Sequence, residues 1–137
     1  MGQKMSLNWI DAHCHLSDPG FDEDRETLYR ELIARDIKGL VLAGTDPDDW
    51  NRQIQLKPPL PLRIAKVFGI HPWNVDSMSH EDLDQAMRTL ESNLPHCQGL
   101  GEMGLDYFRA KSPDEDLELT VSRQAQILGD MFPVLKG

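Results

Sequence analysis

Short apolar runs recur along this sequence at nearly even spacing, and each ends in a polar residue. The runs are Leu7 to His15, Leu40 to Asp46, Ile64 to His71 and Leu100 to Asp106. The spacing between their polar ends is 26 to 31 residues, measured at His15, Thr45, His71 and Glu102. This is about the length of a βα unit. Because continuously apolar runs are typical of strands buried on both faces, the pattern predicts four strands of a parallel sheet.

Helix signals lie between the runs. The predicted helices begin near Asp22, Asp46, Ser79 and Ser112. Asp46 is followed by proline, which suits the first helical position, and Ser79 opens a pattern that resembles a capping box. The last helix is predicted to continue to about Leu128. Four βα units are half of a (β/α)₈ barrel or a small doubly wound sheet, and this pattern leaves both open.

Charge limits the ways in which the chain could bind a partner. The 137 residues carry a formal net charge of −9, which argues against a broad basic surface for nucleic acid. It does not exclude a nuclease that handles phosphate through bound metal. The two cysteines, Cys14 and Cys97, give no disulfide framework, so we predict a cytoplasmic location. No run is long and apolar enough to span a membrane, and we expect no membrane association.

The strongest chemical signal is the segment Asp11-Ala12-His13-Cys14-His15 at the end of the first run. On a strand, alternate residues share a face, so Asp11, His13 and His15 are predicted to point the same way. Two imidazoles at this spacing could bind one metal ion, with Asp11 as a supporting partner. The alternative is two ordinary histidines on a strand. The spacing and the position at a strand end favour the metal site.

Further candidates follow the third and fourth runs. Glu102 and Asp106 lie in a glycine-rich segment, where a carboxylate is more often a solvated turn residue. They are predicted to lie at the carboxyl end of the parallel strands, which we call the rim, together with the histidine pair. This position favours a metal-bridging role instead. For His71, structural and functional roles are equally open. Trp73 could pack or stack on a nucleobase. Arg109 could contact a substrate phosphate or lie in a solvated loop.

Three motifs, in this order and at these spacings, resemble the TatD-type metal-dependent DNases. They are HxH at His13 and His15, GxHP at 69–72, and GExGLD at 101–106. HxH alone is shared by many hydrolases, whereas GExGLD is much more specific. The resemblance extends from about Leu7 to Gln124.

The resemblance implies a fold, a cofactor and an activity. The full fold would be a (β/α)₈ barrel. His13 and His15 would bind one divalent ion, with Mg²⁺ favoured over Mn²⁺ or Zn²⁺, and Glu102 would bridge it to a second ion. His71 and Asp106 would line the site near the phosphate. The activity would be 3′→5′ removal of nucleotides from the ends of DNA or RNA, with Glu102, His71 and Asp106 as catalytic residues and His71 as a substrate contact. The position of Arg109 after the fourth run adds it as a second candidate substrate contact.

The sequence also departs from the family pattern. A whole barrel needs about 250 residues, so we interpret 1–137 as a single partial domain with family-like units at 7–124 and a divergent tail at 125–137. Segment 133–135 resembles the fifth strand only weakly, with Lys136 where a metal-binding histidine would come. Together with an expected short fourth helix, this suggests a truncation that impairs activity. Three ligands could hold one ion but not two tightly.

Competing hypotheses remain at this point. An amidohydrolase or deacylase would share HxH but lacks GExGLD, and the same motif counts against a phosphatase of the polymerase-and-histidinol-phosphatase type. A third alternative is a non-catalytic fragment that self-associates and at most binds metal. A half barrel exposes strand edges and an apolar face, so a homo-oligomer that covers this face is expected.

Overall fold

The computed structural model describes residues 8–108 and 116–134. In these residues the strands are β1 (Trp9–Cys14), β2 (Ile37–Ala43), β3 (Arg63–Phe68) and β4 (Gly99–Leu100). The helices are α1 (Arg25–Ala34), α2 (Pro47–Gln55), α3 (Pro72–Ser77), α4 (His80–Asn93) and α5 (Leu117–Val134). Short 3-10 turns lie at Pro19–Phe21 and Leu94–His96. Within the described ranges, no helix combines the length and apolarity that a membrane crossing requires.

The four strands form one parallel sheet in the order β1-β2-β3-β4. This confirms the predicted parallel sheet. A sequential order is that of a barrel wall, since the order of a doubly wound sheet reverses at a switch point. The predicted fourth strand was too long, because only Gly99–Leu100 pair with β3. Gly101 and Gly104 then adopt φ angles of 153° and 132°, which turn the chain out of the sheet.

Helices cover one face of the sheet. Leu40 and Leu42 of β2 pack with Tyr29 of α1. Phe68 of β3 packs in a second cluster with Trp50 of α2 and with buried residues of α3, α4 and α5. The opposite face is an open cleft lined by apolar residues from all four strands, Ala12, Val41, Ala43, Val67 and Leu100. The two clusters of buried hydrophobic residues lie on the side of the sheet that the helices cover.

Two of the predicted helix starts are confirmed. Asp46 accepts a hydrogen bond from the Asp49 N–H at the start of α2, and Ser79 accepts one from the Asp82 N–H at the start of α4. The predicted cap at Asp22 is wrong. This residue ends the preceding 3-10 turn, and its carboxylate pairs with Arg25, the first residue of α1, at 2.7 Å.

Helix α5 is longer than its sequence pattern predicted. The predicted start at Ser112 lies outside the described residues, but the predicted end near Leu128 is wrong, because the helix continues to Val134. Residues 133 and 134 lie in this helix, so the weak resemblance of segment 133–135 to a fifth strand is wrong at these two positions. The comparison with the length of the family's fourth helix stays a prediction. Buried residues recur along one face of α5 at Gln124, Ile127, Met131 and Val134. This buried face outweighs the poor helix propensities of Gly129 and Pro133. A boundary at residue 124 stays a prediction.

Candidate metal centre

Two histidines and a carboxylate meet at the carboxyl end of the sheet. His13 is the last residue but one of β1, His15 follows the strand, and Glu102 follows β4. One ligand atom from each lies within 4.8 Å of the other two. The Nε2 atom of His13 is 3.1 Å from Glu102 Oε1, and that of His15 is 3.9 Å from Glu102 Oε2. Imidazole nitrogens and a carboxylate oxygen are a donor set that fits a divalent transition metal.

A β-bulge decides how the histidines point. The register shifts between the pairs Asp11–Leu40 and Cys14–Leu42. Three steps along β1 therefore correspond to two steps along β2. The adjacent residues Ala12 and His13 both line the cleft, which strict alternation would not allow. Asp11 instead pairs with Leu40, on the helix-covered side, and its carboxylate accepts a hydrogen bond from the His13 backbone N–H at 3.0 Å. The prediction that Asp11 shares the face of both histidines is wrong.

Two glycines that follow β2 and β3 allow close backbone approach beside Glu102: Gly69 to Glu102 itself, and Gly44 to β3. A Cβ on Gly69 would lie 2.3 Å from the Glu102 carbonyl oxygen, and one on Gly44 would lie 2.4 Å from the Val67 carbonyl oxygen. The Glu102 N–H donates to the carbonyl of Gly44 at 2.7 Å. Neighbouring strand ends thus hold Glu102 opposite the histidine pair. The sequence identified these glycines only as parts of motifs and missed this role.

His71, which follows β3, also faces Glu102. Its Nε2 lies 4.0 Å from Glu102 Oε2. Its Nδ1 accepts a hydrogen bond from the Trp73 backbone N–H at 3.1 Å, so the neutral ring carries its proton on Nε2. The Nε2 atom, which faces the site, is therefore a hydrogen-bond donor in the neutral ring. A metal ligand would instead need a free lone pair on this nitrogen.

Asp106 lines the same cleft but bonds to a neighbouring aromatic ring. Its Oδ2 accepts the indole Nε1–H of Trp73 at 2.6 Å, and its backbone N–H donates to the buried side chain of Gln124 on α5 at 2.8 Å. Gln124 also donates to Asp76 of α3 at 2.8 Å. The sequence did not single out Gln124, which connects the loop after β4 to two helices. Arg109, predicted as a phosphate contact, lies outside the described residues.

A buried carboxylate that the sequence did not single out supports the rim from below. Asp49 of α2 is 4% exposed. It accepts hydrogen bonds from the Ser17 hydroxyl at 2.6 Å, the Thr45 N–H at 3.1 Å and the Gln53 amide at 3.0 Å, all three lying on loops or helices beside the site. Arg52 approaches it at 3.7 Å. These bonds fix the loops after β1 and β2 to each other. An aspartate inside a helix gives no sequence signal of such a role.

Cys14 stands between the two histidines but faces the core. Its side chain packs in the cluster beneath α1. Burial raises the pKa of its thiol above the usual range, only partly opposed by a hydrogen bond with the backbone of Leu16. Because this side chain packs in the core and lies outside the cluster of possible ligand atoms, it does not reach the candidate site. In the described residues, the group that could hold a metal ion is the histidine pair with Glu102.

The cleft in front of these residues is large enough for a ligand. It has a volume of about 600 Å³ and extends from the open sheet face to the rim, with His13, His71, Glu102 and Asp106 among its polar residues. A second part of the cleft, of about 450 Å³, lies between His15, Trp73 and the loop after β2. Space for a ligand is therefore present in two parts of the cleft, and Glu102 lines both.

Comparisons with known proteins agree with these motifs. Residues 10–131 match the family described as TatD related DNase. The chain is similar to human deoxyribonuclease TATDN3, at 30% identity over 72% of this chain and 38% of that protein. It is also similar to the 3′-5′ ssDNA/RNA exonuclease TatD of Salmonella typhimurium, at 26% identity over 89% of this chain and 46% of that protein.

A solved structure is similar as well. The crystal structure of YjjV, a TatD homologue from Escherichia coli, gives a TM-score of 0.69 at 23% identity and covers 95% of this chain and 47% of that one. With the sequential parallel sheet, this confirms the predicted fold class, four βα units of a (β/α)₈ barrel. The chain spans less than half the length of the relatives that it matches here.

Proposed function

Because the chain belongs to the family of TatD-related DNases, we propose that its rim contributes a divalent-metal site for hydrolysis of phosphodiester bonds in nucleic acid. The observation that carries this proposal is the meeting of His13, His15 and Glu102, whose ligand atoms lie within 4.8 Å of one another. The substrate class rests on the relatives, one of which is named as a 3′-5′ exonuclease for single-stranded DNA and RNA. We extend that class to this chain.

Each residue has a task that follows from its position. His13, His15 and Glu102 would hold the ion, which when bound neutralises phosphate charge and lowers the pKa of a coordinated water. His71 presents its Nε2–H towards the same space and would donate to a phosphate oxygen. Gly44 and Gly69 keep Glu102 in place. The catalytic role of Asp106 and the phosphate contact of Arg109 stay predictions.

The donor set bears on the choice of ion. Mg²⁺, favoured by the family resemblance, prefers oxygen ligands and usually keeps several waters. Two imidazole nitrogens with one carboxylate suit Mn²⁺ or Zn²⁺ better. We therefore propose that this site binds Mn²⁺ or Zn²⁺ more tightly than Mg²⁺, and that it holds one ion. Calorimetric titration of the apo protein with each ion tests the order, and tightest binding of Mg²⁺ would contradict it.

A direct test follows nucleotide release from single-stranded DNA labelled at its 5′ end. We expect shortening from the 3′ end that requires divalent metal and stops with chelator or with His13→Ala. The matched control is His96→Ala, because His96 is an exposed histidine in the 3-10 turn before β4 and lies outside the donor set. A cytoplasmic location stays a prediction.

The outcomes separate binding from catalysis. If the folded protein binds metal through His13 but releases no nucleotide, the chain is a metal-binding relative without the activity. If His13→Ala and His96→Ala bind Mn²⁺ equally well, the proposed donor set itself is wrong.

A second observation favours self-association. Strand β1 forms one edge of the sheet, and its Trp9 and Ile10 side chains are 57% and 66% exposed. Such an edge pairs readily with another strand. We propose a second copy of this chain as the occupant, because each copy carries the same exposed apolar edge and a symmetric pair would cover both.

Sedimentation velocity at several protein concentrations tests this association. We expect a dimer that dissociates when Ile10→Lys places a charge on the edge, whereas Leu60→Lys, at an exposed position before β3, leaves it intact. Because each copy carries a net charge of −9, added salt should strengthen the dimer. A monomer at all concentrations, or equal effects of both variants, would refute it.

A further inference from the structure

One aromatic side chain at the rim is held in place although it is exposed. Trp73, the second residue of α3, is 43% exposed and lines the part of the cleft that also contains His15 and Glu102. Its indole Nε1–H donates to the Asp106 carboxylate at 2.6 Å. A charge-assisted bond of this length fixes the ring plane.

The anchor is itself rigid. Asp106 Oδ1 accepts the Phe108 N–H at 2.9 Å, and the Asp106 backbone is bonded to buried Gln124 in both directions, at 2.8 and 3.2 Å. On the other side, the Trp73 ring meets the His71 ring edge to face at 4.9 Å between centroids. The indole is thus oriented by neighbours that belong to two different loops and a helix.

We propose that Trp73 is a stacking platform for a nucleobase near the strand end whose phosphate reaches the metal centre, and that Asp106 positions its ring. This inference rests on the proposed function and adds the feature that selects single-stranded substrate. Every base presents a π face, but in a duplex that face is covered by its neighbours, so a platform beside the proposed metal site accepts an unstacked base. It would do so without preference among the bases.

The platform also accounts for binding by an acidic protein. With a net charge of −9, the chain gains little from general attraction to phosphate. Stacking on an indole is independent of charge, so it supplies affinity that salt does not screen. The metal would then place the phosphate, and the indole would place the base.

The test measures binding of two eight-nucleotide deoxythymidine strands with phosphorothioate linkages, in the presence of Mn²⁺. The second strand lacks the bases of its two 3′-terminal nucleotides. We expect the wild-type protein to bind the abasic strand about 5- to 100-fold more weakly, the range that loss of one base–aromatic stack gives. Trp73→Ala should lose the same factor on the complete strand and nothing further on the abasic one.

Matched variants separate stacking from structure. Phe132→Ala removes another exposed aromatic side chain, on α5 and outside the cleft lining, and should leave both affinities unchanged. Trp73→Phe keeps a π face and should recover most of the lost affinity. Asp106→Ala frees the ring and should give an intermediate loss that Asp106→Asn, which retains an acceptor oxygen, largely restores. The Trp73-dependent factor should be the same at low and high salt.

Two kinds of failure are distinguishable. If the wild-type protein binds both strands equally and Trp73→Ala changes neither, while His13→Ala abolishes Mn²⁺-dependent binding, the platform is wrong and the metal site stands. If the metal-loaded protein binds neither strand, the nucleic-acid function fails and the platform fails with it.

Discussion

The two faces of the sheet differ in burial. On the helix-covered face Leu40, Leu42 and Phe68 are buried and pack against α1, α2 and α4. On the open face Val41 and Val67 line a cleft, and every residue of β1 before Cys14 is exposed. Neighbouring residues of one strand, such as Val41 and Leu42, therefore lie in different environments.

This contrast locates stability and chemistry in separate places. Burial of large apolar side chains, which supplies most folding free energy, occurs on the covered face. The candidate metal ligands lie at the open rim, where His13 and His15 are exposed. Changes to the covered face should therefore alter the free energy of unfolding, and changes to the rim should alter binding. The predictions below test this separation.

The largest expected effect on stability comes from the centre of the covered face. Leu42 is fully buried, so Leu42→Ala should reduce the free energy of unfolding by about 2–5 kcal/mol. At a protein concentration low enough for the monomer, Ile10→Ala on the open face should change it by less than about 0.5 kcal/mol, since this side chain is 66% exposed in the single chain. Urea unfolding followed by circular dichroism measures both. Similar losses under these conditions would contradict the separation of the two faces, whereas an Ile10→Ala loss that grows with protein concentration would support the proposed dimer.

Glycines give the next comparison. Gly69→Ala would force a Cβ to within 2.3 Å of the Glu102 carbonyl oxygen, so we expect a loss of about 1–3 kcal/mol and a displaced Glu102 that weakens Mn²⁺ binding. Gly129→Ala in α5 meets no atom within 4 Å and should stabilise by about 0.5–1 kcal/mol. Unchanged Mn²⁺ affinity in Gly69→Ala would show that this contact does not position the carboxylate.

A smaller effect is expected beneath the rim. Asp49→Asn keeps the shape of the side chain but cannot accept all the bonds that Asp49 now accepts, so we expect about 1–2 kcal/mol of destabilisation. Asp48→Asn, at an exposed position of the same helix, should cost only a few tenths of a kcal/mol through the helix dipole. Thermal unfolding of the pair measures the difference, and equal shifts would argue against the role of Asp49.

The smallest expected effect concerns the ion. Saturating Mn²⁺ should raise the midpoint of thermal unfolding of the wild-type protein by a few degrees, because the ion binds only the folded state. The shift should vanish in His15→Ala and persist in His80→Ala, whose histidine begins α4 outside the donor set. A shift that survives in His15→Ala would place the ion elsewhere.

Sequence reasoning found the strands, the parallel sheet and the three residues that meet at the rim. It failed where a feature depends on contacts between distant segments. The bulge in β1 depends on pairing with β2, and the length of α5 depends on burial of Ile127 and Met131. The hydrogen bond between Ser17 and Asp49 joins residues that are 32 apart in sequence, so no local sequence pattern predicts it.

The sequence by itself determined the periodicity of βα units and the residue types at each strand end, because these follow from local alternation of apolar and polar residues. Only the tertiary structure decided which side chains face the cleft and which carboxylates reach it. Glu102 meets His13 because Gly69 leaves space for its backbone and the Gly44 carbonyl accepts its N–H, and Asp106 accepts a hydrogen bond from Trp73 across 33 residues of sequence. Such distances are set by packing, which couples segments that the sequence separates.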